Sequence, residues 1–195
     1  MRDMVKPTLS LFIICFVVSL CLAFVNGITK DTIARRAEKD AEEQRKLVFS
    51  DADSFKQVEG WEEKDESGLI RNVYAAYRGN ELVGYVFTAA PTGFGGEIEV
   101  TVGISNEKVI SGVRVGNNSE TPGLGTKTAG SDFTAQFTGK GIQSDFAIVK
   151  RPASLDNEIQ AVSGATISST AVTKAVSASA ALGGKLLQEQ NGGDN

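Results

Sequence analysis

The sequence predicts an α+β fold, a twisted and mainly antiparallel sheet packed by helices and preceded by one N-terminal transmembrane helix. Three observations carry this prediction. Residues 9–25 form a 17-residue stretch in which only Ser10 and Ser19 are not apolar. From Val73 onward, short segments with period-two or continuous apolar runs follow one another across loops too short for a crossover, so neighbours must run antiparallel. From Ser163 onward, a long segment of small and apolar residues has helical spacing.

The elements follow in chain order. Thr8 to Gly27 gives 20 residues, and a helix of that length, rising 1.5 Å per residue, spans about 30 Å, the thickness of a membrane's hydrocarbon layer. The apolar run exceeds the usual core of a secretory signal, which favours a retained anchor, although Val25-Asn26-Gly27 is a tolerable cleavage site. Thr29 to Lys46 (TKDTIARRAEKDAEEQRK) lacks turn residues and is rich in helix formers, so it continues the helix. Basic residues lie on both sides of the span, Arg2 and Lys6 before it and Lys30, Arg35, Arg36 and Lys39 after it, and charge alone does not orient it. The expected organisation is an anchor over 1–28, a helical connector over 29–60, a folded domain over 61–190 and a disordered tail over 191–195.

Strands are expected at Val73 to Tyr77, Leu82 to Thr88, Ile98 to Ile104 and Val109 to Val115, with turns at Arg78-Gly79-Asn80 and Ser105-Asn106-Glu107. Eight glycines fall between Pro91 and Gly125, a density that fits either tight turns or close backbone approach to something flat or bulky. Asp132 to Gly139 reads as a short helix with Asp132 as cap and Phe133 and Phe137 four apart. Ala147 to Val149 and Glu158 to Val162 read as strands. The last helix places Ile167, Ala171, Val172, Ala175, Val176 and Leu182 on its inner face and ends near Gly183-Gly184, leaving a frayed polar tail from Gln188.

Composition narrows the chemistry. The chain has no His, and its two cysteines, Cys15 and Cys21, both lie in the apolar stretch. That excludes His-based nucleophile activation and His-ligated metals throughout, and thiolate or iron–sulfur sites in the domain. No catalytic residue and no metal site are expected. Residues 29–195 carry 18 basic and 23 acidic side chains, a balance that argues against nucleic acid as a partner. Redox chemistry here requires a borrowed cofactor.

Ser163-Gly164-Ala165-Thr166 sits where a strand gives way to the last helix. A helix N-terminus offers unpaired N–H groups and the positive end of the helix dipole, which together favour phosphate. The same four residues also read as an ordinary Ser cap on a small-residue helix. About 40 residues upstream stands Glu120-Thr121-Pro122-Gly123-Leu124-Gly125. Taken with the N-terminal span, the Asn26-Gly27-Ile28-Thr29 exit and the Gly95-Gly96 turn, this pair of motifs resembles the FMN-binding G subunit of the Rnf electron-transport complex. A more distant similarity is to the C subunit of the sodium-pumping NADH:quinone oxidoreductase.

The resemblance implies that residues 61–190 are an FMN-binding domain, that Thr166 carries FMN through a phosphoester bond, and that a dedicated flavin transferase makes the bond from FAD. At that helix start Gly164 and Ala165 leave room for a phosphate and the hydroxyls of Ser163, Thr166, Ser168 and Ser169 can donate to it, and the resemblance implies that Glu120, Thr121, Pro122, Gly123, Leu124 and Gly125 lie beside the flavin, with Thr121 and Leu124 the nearest contacts. It further implies an electron-transfer subunit rather than a self-sufficient enzyme. Its partners would be the integral membrane and redox subunits of an ion-translocating ferredoxin:NAD oxidoreductase. Its place would be the cell (inner) membrane, with a single span and an extracytoplasmic domain. One departure is Gln160, where the transferase motif usually has Asp. Two other readings fit the residues: a stand-alone exported flavoprotein, and a cofactor-free membrane-anchored binding module. Phe94, between glycines, is a stacking candidate, as are Trp61, Tyr74, Tyr77 and Tyr85 in the sheet. Lys127, Lys150, Arg151 and Lys174 are candidate phosphate or ribityl contacts.

Overall fold

The computed structural model describes residues 2–143 and 145–192 and divides into two compact units, Met1–Glu42 and Glu43–Asn195. Helix α1 (Arg2–Val48) contains a window long and apolar enough to cross a membrane. Over residues 9–25 every side chain, Leu11, Phe12, Phe16, Leu22 and Phe24 among them, is exposed, as a membrane-facing surface requires. Just after the span, Thr29 Oγ1 donates to the Val25 carbonyl at 2.9 Å, within the helix's own turn.

The second unit is built on a five-stranded antiparallel sheet in the order β1-β2-β3-β4-β5, formed by β1 (Ser54–Gln57), β2 (Ile70–Arg78), β3 (Glu81–Ala89), β4 (Ile98–Ser105) and β5 (Ile110–Asn118). Sequence-adjacent strands pair throughout, so the sheet is a meander. Period two sorts the strand residues between faces. Ile98, Val100, Val102 and Ile104 of β4 all join the main core, whereas Ala76, Val83 and Val86 pack with Val48 and Phe49 on the other face. There Ser111 Oγ donates to the Val48 carbonyl at 2.7 Å, satisfying an acceptor left open at the helix end.

Helix α3 (Thr166–Gly192) covers the main core face, burying Ala171, Val172, Ala175, Val176 and Leu182 against the sheet. A short parallel pair, β6 (Ala147–Val149) with β7 (Glu158–Gln160), leads into it. Before that pair, α2 (Ser131–Thr134) and the following turns set Phe133 and Phe137 edge to face at 5.6 Å.

Five sequence expectations are corrected. The expected helical connector over 29–60 contains β1, whose SFKQ sequence pairs with residues 74–77. The helix expected over Asp132 to Gly139 is only one turn, its N-cap is Gly130, and Asp132 lies inside the first turn without capping it. The last helix does not end at Gly183-Gly184. A Cβ on Gly183 would stand 2.8 Å from Ile104 Cδ1 and 3.3 Å from the Phe87 ring, so this glycine permits close helix–sheet approach. The helix continues through Asn191 and Gly192 of the expected tail, and residues 193–195 lie outside the described ones. Finally, Ile167 is 57% exposed rather than on the inner face.

Candidate functional site

Three segments converge at the N-terminal end of α3: the loop after β3, the loop after β5, and Ser163 to Ser168. They enclose an open cavity of about 350 Å³, within the range of small-molecule sites. Its lining includes Phe94, Leu124 and Ile167, exposed by 69%, 45% and 57%. Exposed large apolar side chains gathered on one cavity mark a binding surface. The polar part of the lining comes from Glu120, Thr121, Thr166 and Ser168.

The start of α3 supplies half of the lining, from Gly164 to Ser168. Ala165 N–H donates to the Val162 carbonyl at 3.0 Å, and Gly164 takes φ +79°, a left-handed turn that feeds the chain into the helix. The first helical bond runs from Ser169 N–H to the Ala165 carbonyl at 2.9 Å. The N–H groups of Thr166, Ile167 and Ser168 precede that ladder and form an anion-accepting end.

The hydroxyls along this turn divide sharply. Ser168 Oγ donates to Glu120 Oε2 at 2.6 Å, Ser169 Oγ to the Ala165 carbonyl at 2.9 Å, and Thr170 Oγ1 to the Thr166 carbonyl at 2.8 Å. Ser169 Oγ also accepts the Val162 N–H at 3.0 Å. Among the described residues, the Thr166 hydroxyl has no hydrogen-bond partner, and it lines the cavity.

Glu120 holds the three segments together. Its side chain is buried, with 5% of the residue exposed, and Oε1 accepts the Gly95 N–H at 2.9 Å while Oε2 accepts Ser168 Oγ. Burial pushes this carboxyl up, but donation from Ser168 and from the backbone of Gly95 and Phe94 outweighs it and holds the group below its ordinary range. The nearby glycines make room for this arrangement. A Cβ on Gly95 would sit 2.1 Å from the Ser119 carbonyl oxygen, and one on Gly125 would sit 2.3 Å from Glu120 Oε2. Both glycines thus serve packing within the chain.

The sequence-derived residues separate accordingly. Thr166, Gly164, Ala165, Glu120, Thr121, Leu124 and Gly125 line the cavity, while Ser163, Ser169, Pro122 and Gly123 do not. Ser169 is fully buried in backbone bonds, and Gly123, at φ +77°, donates its N–H to Thr126 Oγ1 at 3.0 Å to fold the loop. Phe94 is at the cavity. Trp61 and Tyr85 are in the main core, Tyr74 lies under Arg45 at 4.1 Å and Tyr77 beside Lys56 at 4.9 Å. None of Lys127, Lys150, Arg151 or Lys174 lines the cavity. Lys127 borders a separate groove with Gln136 and Gln160. There the Gln160 N–H donates to Gln136 Oε1 at 2.8 Å, and Gln136 Nε2 donates to the Gln160 carbonyl at 3.2 Å.

Arg151 instead clamps Glu158. Its guanidinium reaches both carboxylate oxygens, Nη1 to Oε2 at 2.9 Å and Nη2 to Oε1 at 2.5 Å, and the N–H groups of Ser154 and Leu155 add to Oε2. Arg151 and these donors hold Glu158 down at about 2. Sequence reasoning placed the Ser168 hydroxyl at a phosphate, whereas it donates to Glu120, and it missed Ile167 as a cavity residue. The position of Ile167 in the first turn after Thr166 is the signal that could have found it.

A family model described as FMN-binding domain matches residues 93–181, which span both cavity loops and the start of α3. The cavity fits such a group: exposed apolar side chains for a flat ring, helix N–H groups ahead of the first helical bond for a phosphate and an unpartnered hydroxyl among them. The chain is 37% identical to the G subunit of the Na(+)-translocating ferredoxin:NAD(+) oxidoreductase complex of Acetobacterium woodii over 187 residues, covering 89% of this chain and 88% of that one. It is 34% identical to the G subunit of the proton-translocating ferredoxin:NAD(+) oxidoreductase complex of Clostridium ljungdahlii, covering 87% and 85%. Among solved structures it is similar to the C subunit of the Na(+)-translocating NADH-quinone reductase of Parabacteroides distasonis, with a TM-score of 0.52 at 25% identity over 60% of this chain and 62% of that one. NqrC of Shewanella oneidensis shares the fold, with a TM-score of 0.52 at 18% identity over 73% and 72%. With a cavity of that shape and relatives matched over most of their length, the chain belongs to the family of G subunits of the ion-translocating oxidoreductase (Rnf) complexes.

Proposed function

We propose that this chain is the membrane-anchored flavoprotein that relays electrons within an ion-translocating ferredoxin:NAD oxidoreductase complex, with FMN bonded through its phosphate to Thr166. The observation that supports this best is the distribution of hydroxyls on the first turns of α3. Those of residues 168, 169 and 170 are bonded within the chain, and the Thr166 hydroxyl faces the cavity without a partner. Attachment by a flavin transferase would form a bond from Thr166 Oγ1 to the FMN phosphorus of FAD and break the pyrophosphate bond. AMP would leave and the hydroxyl proton would be lost.

When bound, FMN supplies one-electron transfer chemistry that side chains without His or domain Cys cannot. The chain's own residues do the rest. The N–H groups ahead of Ser169 receive the phosphate, Phe94, Leu124 and Ile167 offer the flat apolar surface, and Glu120 keeps the two loops closed on the helix. The apolar part of α1 anchors the domain in the cell membrane. A covalent bond to phosphate retains the cofactor where free FMN is not resupplied, which favours an extracytoplasmic domain. Partners are the membrane and redox subunits of the complex, and the transferase for maturation.

Co-expression with a flavin transferase, followed by a denaturing gel viewed for flavin fluorescence, tests this reading. A fluorescent band is expected for wild type and for Ser168→Ala, and none for Thr166→Val. A colourless wild type, or a Thr166→Val band as bright as wild type, would refute it. Copurification of membrane subunits separates a complex component from a free carrier.

A further inference from the structure

The cavity contains one feature that binding alone does not explain. Among the described residues that line it, Glu120 is the one ionisable side chain, and no Lys or Arg of the described chain pairs with it. Its donors are a neutral hydroxyl and backbone N–H groups. A merely structural staple between these segments could be an amide. The position instead carries a buried carboxylate, packed tightly enough that a Cβ on Gly93 or Gly125 would meet its oxygens at 2.3 Å. These contacts fix the carboxylate in place and keep it from swinging to bulk water.

We propose that the Glu120 carboxylate, pinned between Gly95 and Ser168 in the cavity wall, sets the redox potential of the bound flavin by holding a fixed, uncompensated negative charge beside it. The inference rests on the FMN reading above. Each electron that enters the cavity adds negative charge there, and a fixed anion nearby makes that addition less favourable. The effect is to lower the midpoint potential, which suits a relay whose electrons start from a strong reductant. The N–H groups at the α3 terminus act in the opposite sense near the phosphate, so the site pairs an attractive end for the tether with a repulsive wall for the electron. The donors that hold Glu120 below its ordinary range keep it ionised at neutral pH.

The test is a spectroelectrochemical titration of the full chain carrying covalent FMN, wild type against Glu120→Gln. Gln keeps the size and can accept the Gly95 N–H, while the Ser168 hydroxyl turns to accept from the amide. The expected result is a positive shift of the midpoint potential in Glu120→Gln. Equal potentials, or a negative shift, would overturn the proposal while leaving the FMN assignment intact. A wild type that takes up no flavin would remove both. Because Glu120→Gln disturbs the loop junction if the amide does not take up the carboxylate's bonds, the pH dependence of the wild-type midpoint provides a second measurement. Protonating Glu120 in acid removes its charge, so the wild-type midpoint should rise more on acidification than that of free FMN titrated beside it. If Glu120→Gln is not recovered folded, a wild-type profile that follows free FMN overturns the proposal.

Discussion

Two buried carboxylates flank the start of α3, and their surroundings differ in one respect. Glu158 lies at the beginning of β7 against the Arg151 guanidinium, which neutralises it, and together with Ser154 and Leu155 it closes the loop over residues 151–158. Glu120 lies in the loop after β5 with hydroxyl and N–H donors only. Both are held ionised, but one is compensated away from the cavity and the other is uncompensated on its wall. A paired charge fixes a loop with little field beyond it. An unpaired charge is costly to bury, and its presence at the cavity points to use there.

Substitutions can break this contrast, beginning with the largest effect. Gly95→Ala forces a Cβ to within 2.1 Å of the Ser119 backbone oxygen, which cannot move aside as a side chain would. Overpacking of this kind costs about 1–3 kcal/mol or more, so thermal denaturation should show a clear drop in midpoint. A Gly95→Ala protein as stable as wild type would mean the loop junction is looser than described.

Glu120→Ala comes next. It leaves the Gly95 N–H and the Ser168 hydroxyl without their acceptor, and the Ser168 hydroxyl can turn to a helix carbonyl, so the loss is about 1–3 kcal/mol for the N–H left unsatisfied. Urea unfolding should lower the midpoint, and Glu120→Gln should recover most of the loss. Recovery by Gln shows that the packing role needs shape and hydrogen bonds, whereas the charge serves another purpose.

Acid then separates the two carboxylates from the rest of the fold. Glu158 falls from an ordinary value of 4.5 to about 2 in the folded chain. Its contribution to stability is therefore full above the unfolded value and is lost as pH falls toward the folded one. Glu120 shifts in the same direction. Thermal melts at pH 7 and pH 3 should show a smaller acid-induced loss in Glu158→Gln than in wild type. An equal loss in both would sink the assignment of Glu158 as an acid-sensitive clamp. The smallest effect is expected at the exposed Arg71–Glu97 pair, where Arg71→Ala should leave the melting curve unchanged.

Much of the fold was legible because burial writes itself into sequence at period two. The alternation in Ile98 to Ile104 gave β4 its core face directly. Where the pattern is short it disappears. Strand β1 has one apolar residue in four, as an edge strand can, and nothing in SFKQ distinguishes it from a loop. Gly183 is the opposite case, a residue whose local meaning is a helix stop and whose tertiary meaning is contact with Ile104 and Phe87.

The site was legible to the extent that it is local. Thr166 and Leu124 stand in short motifs, and the structure brings them to one cavity. The bonds of Glu120 come from residues 25 and 48 positions away, so no window of sequence contains them. The glycine-rich loops were ambiguous between turn and cofactor approach for the same reason. Gly95 and Gly125 are small because of Ser119 and Glu120, which only the folded chain places against them.

The central claim is that the cofactor is joined to one named hydroxyl. The most direct measurement is mass spectrometry of the tryptic peptide from Arg151 to Lys174, taken from the full chain co-expressed with a flavin transferase. Fragment ions should place the added mass of FMN, as a phosphoester, on Thr166. Modification on Ser163, Ser168 or Ser169 instead, or an unmodified peptide, would contradict it.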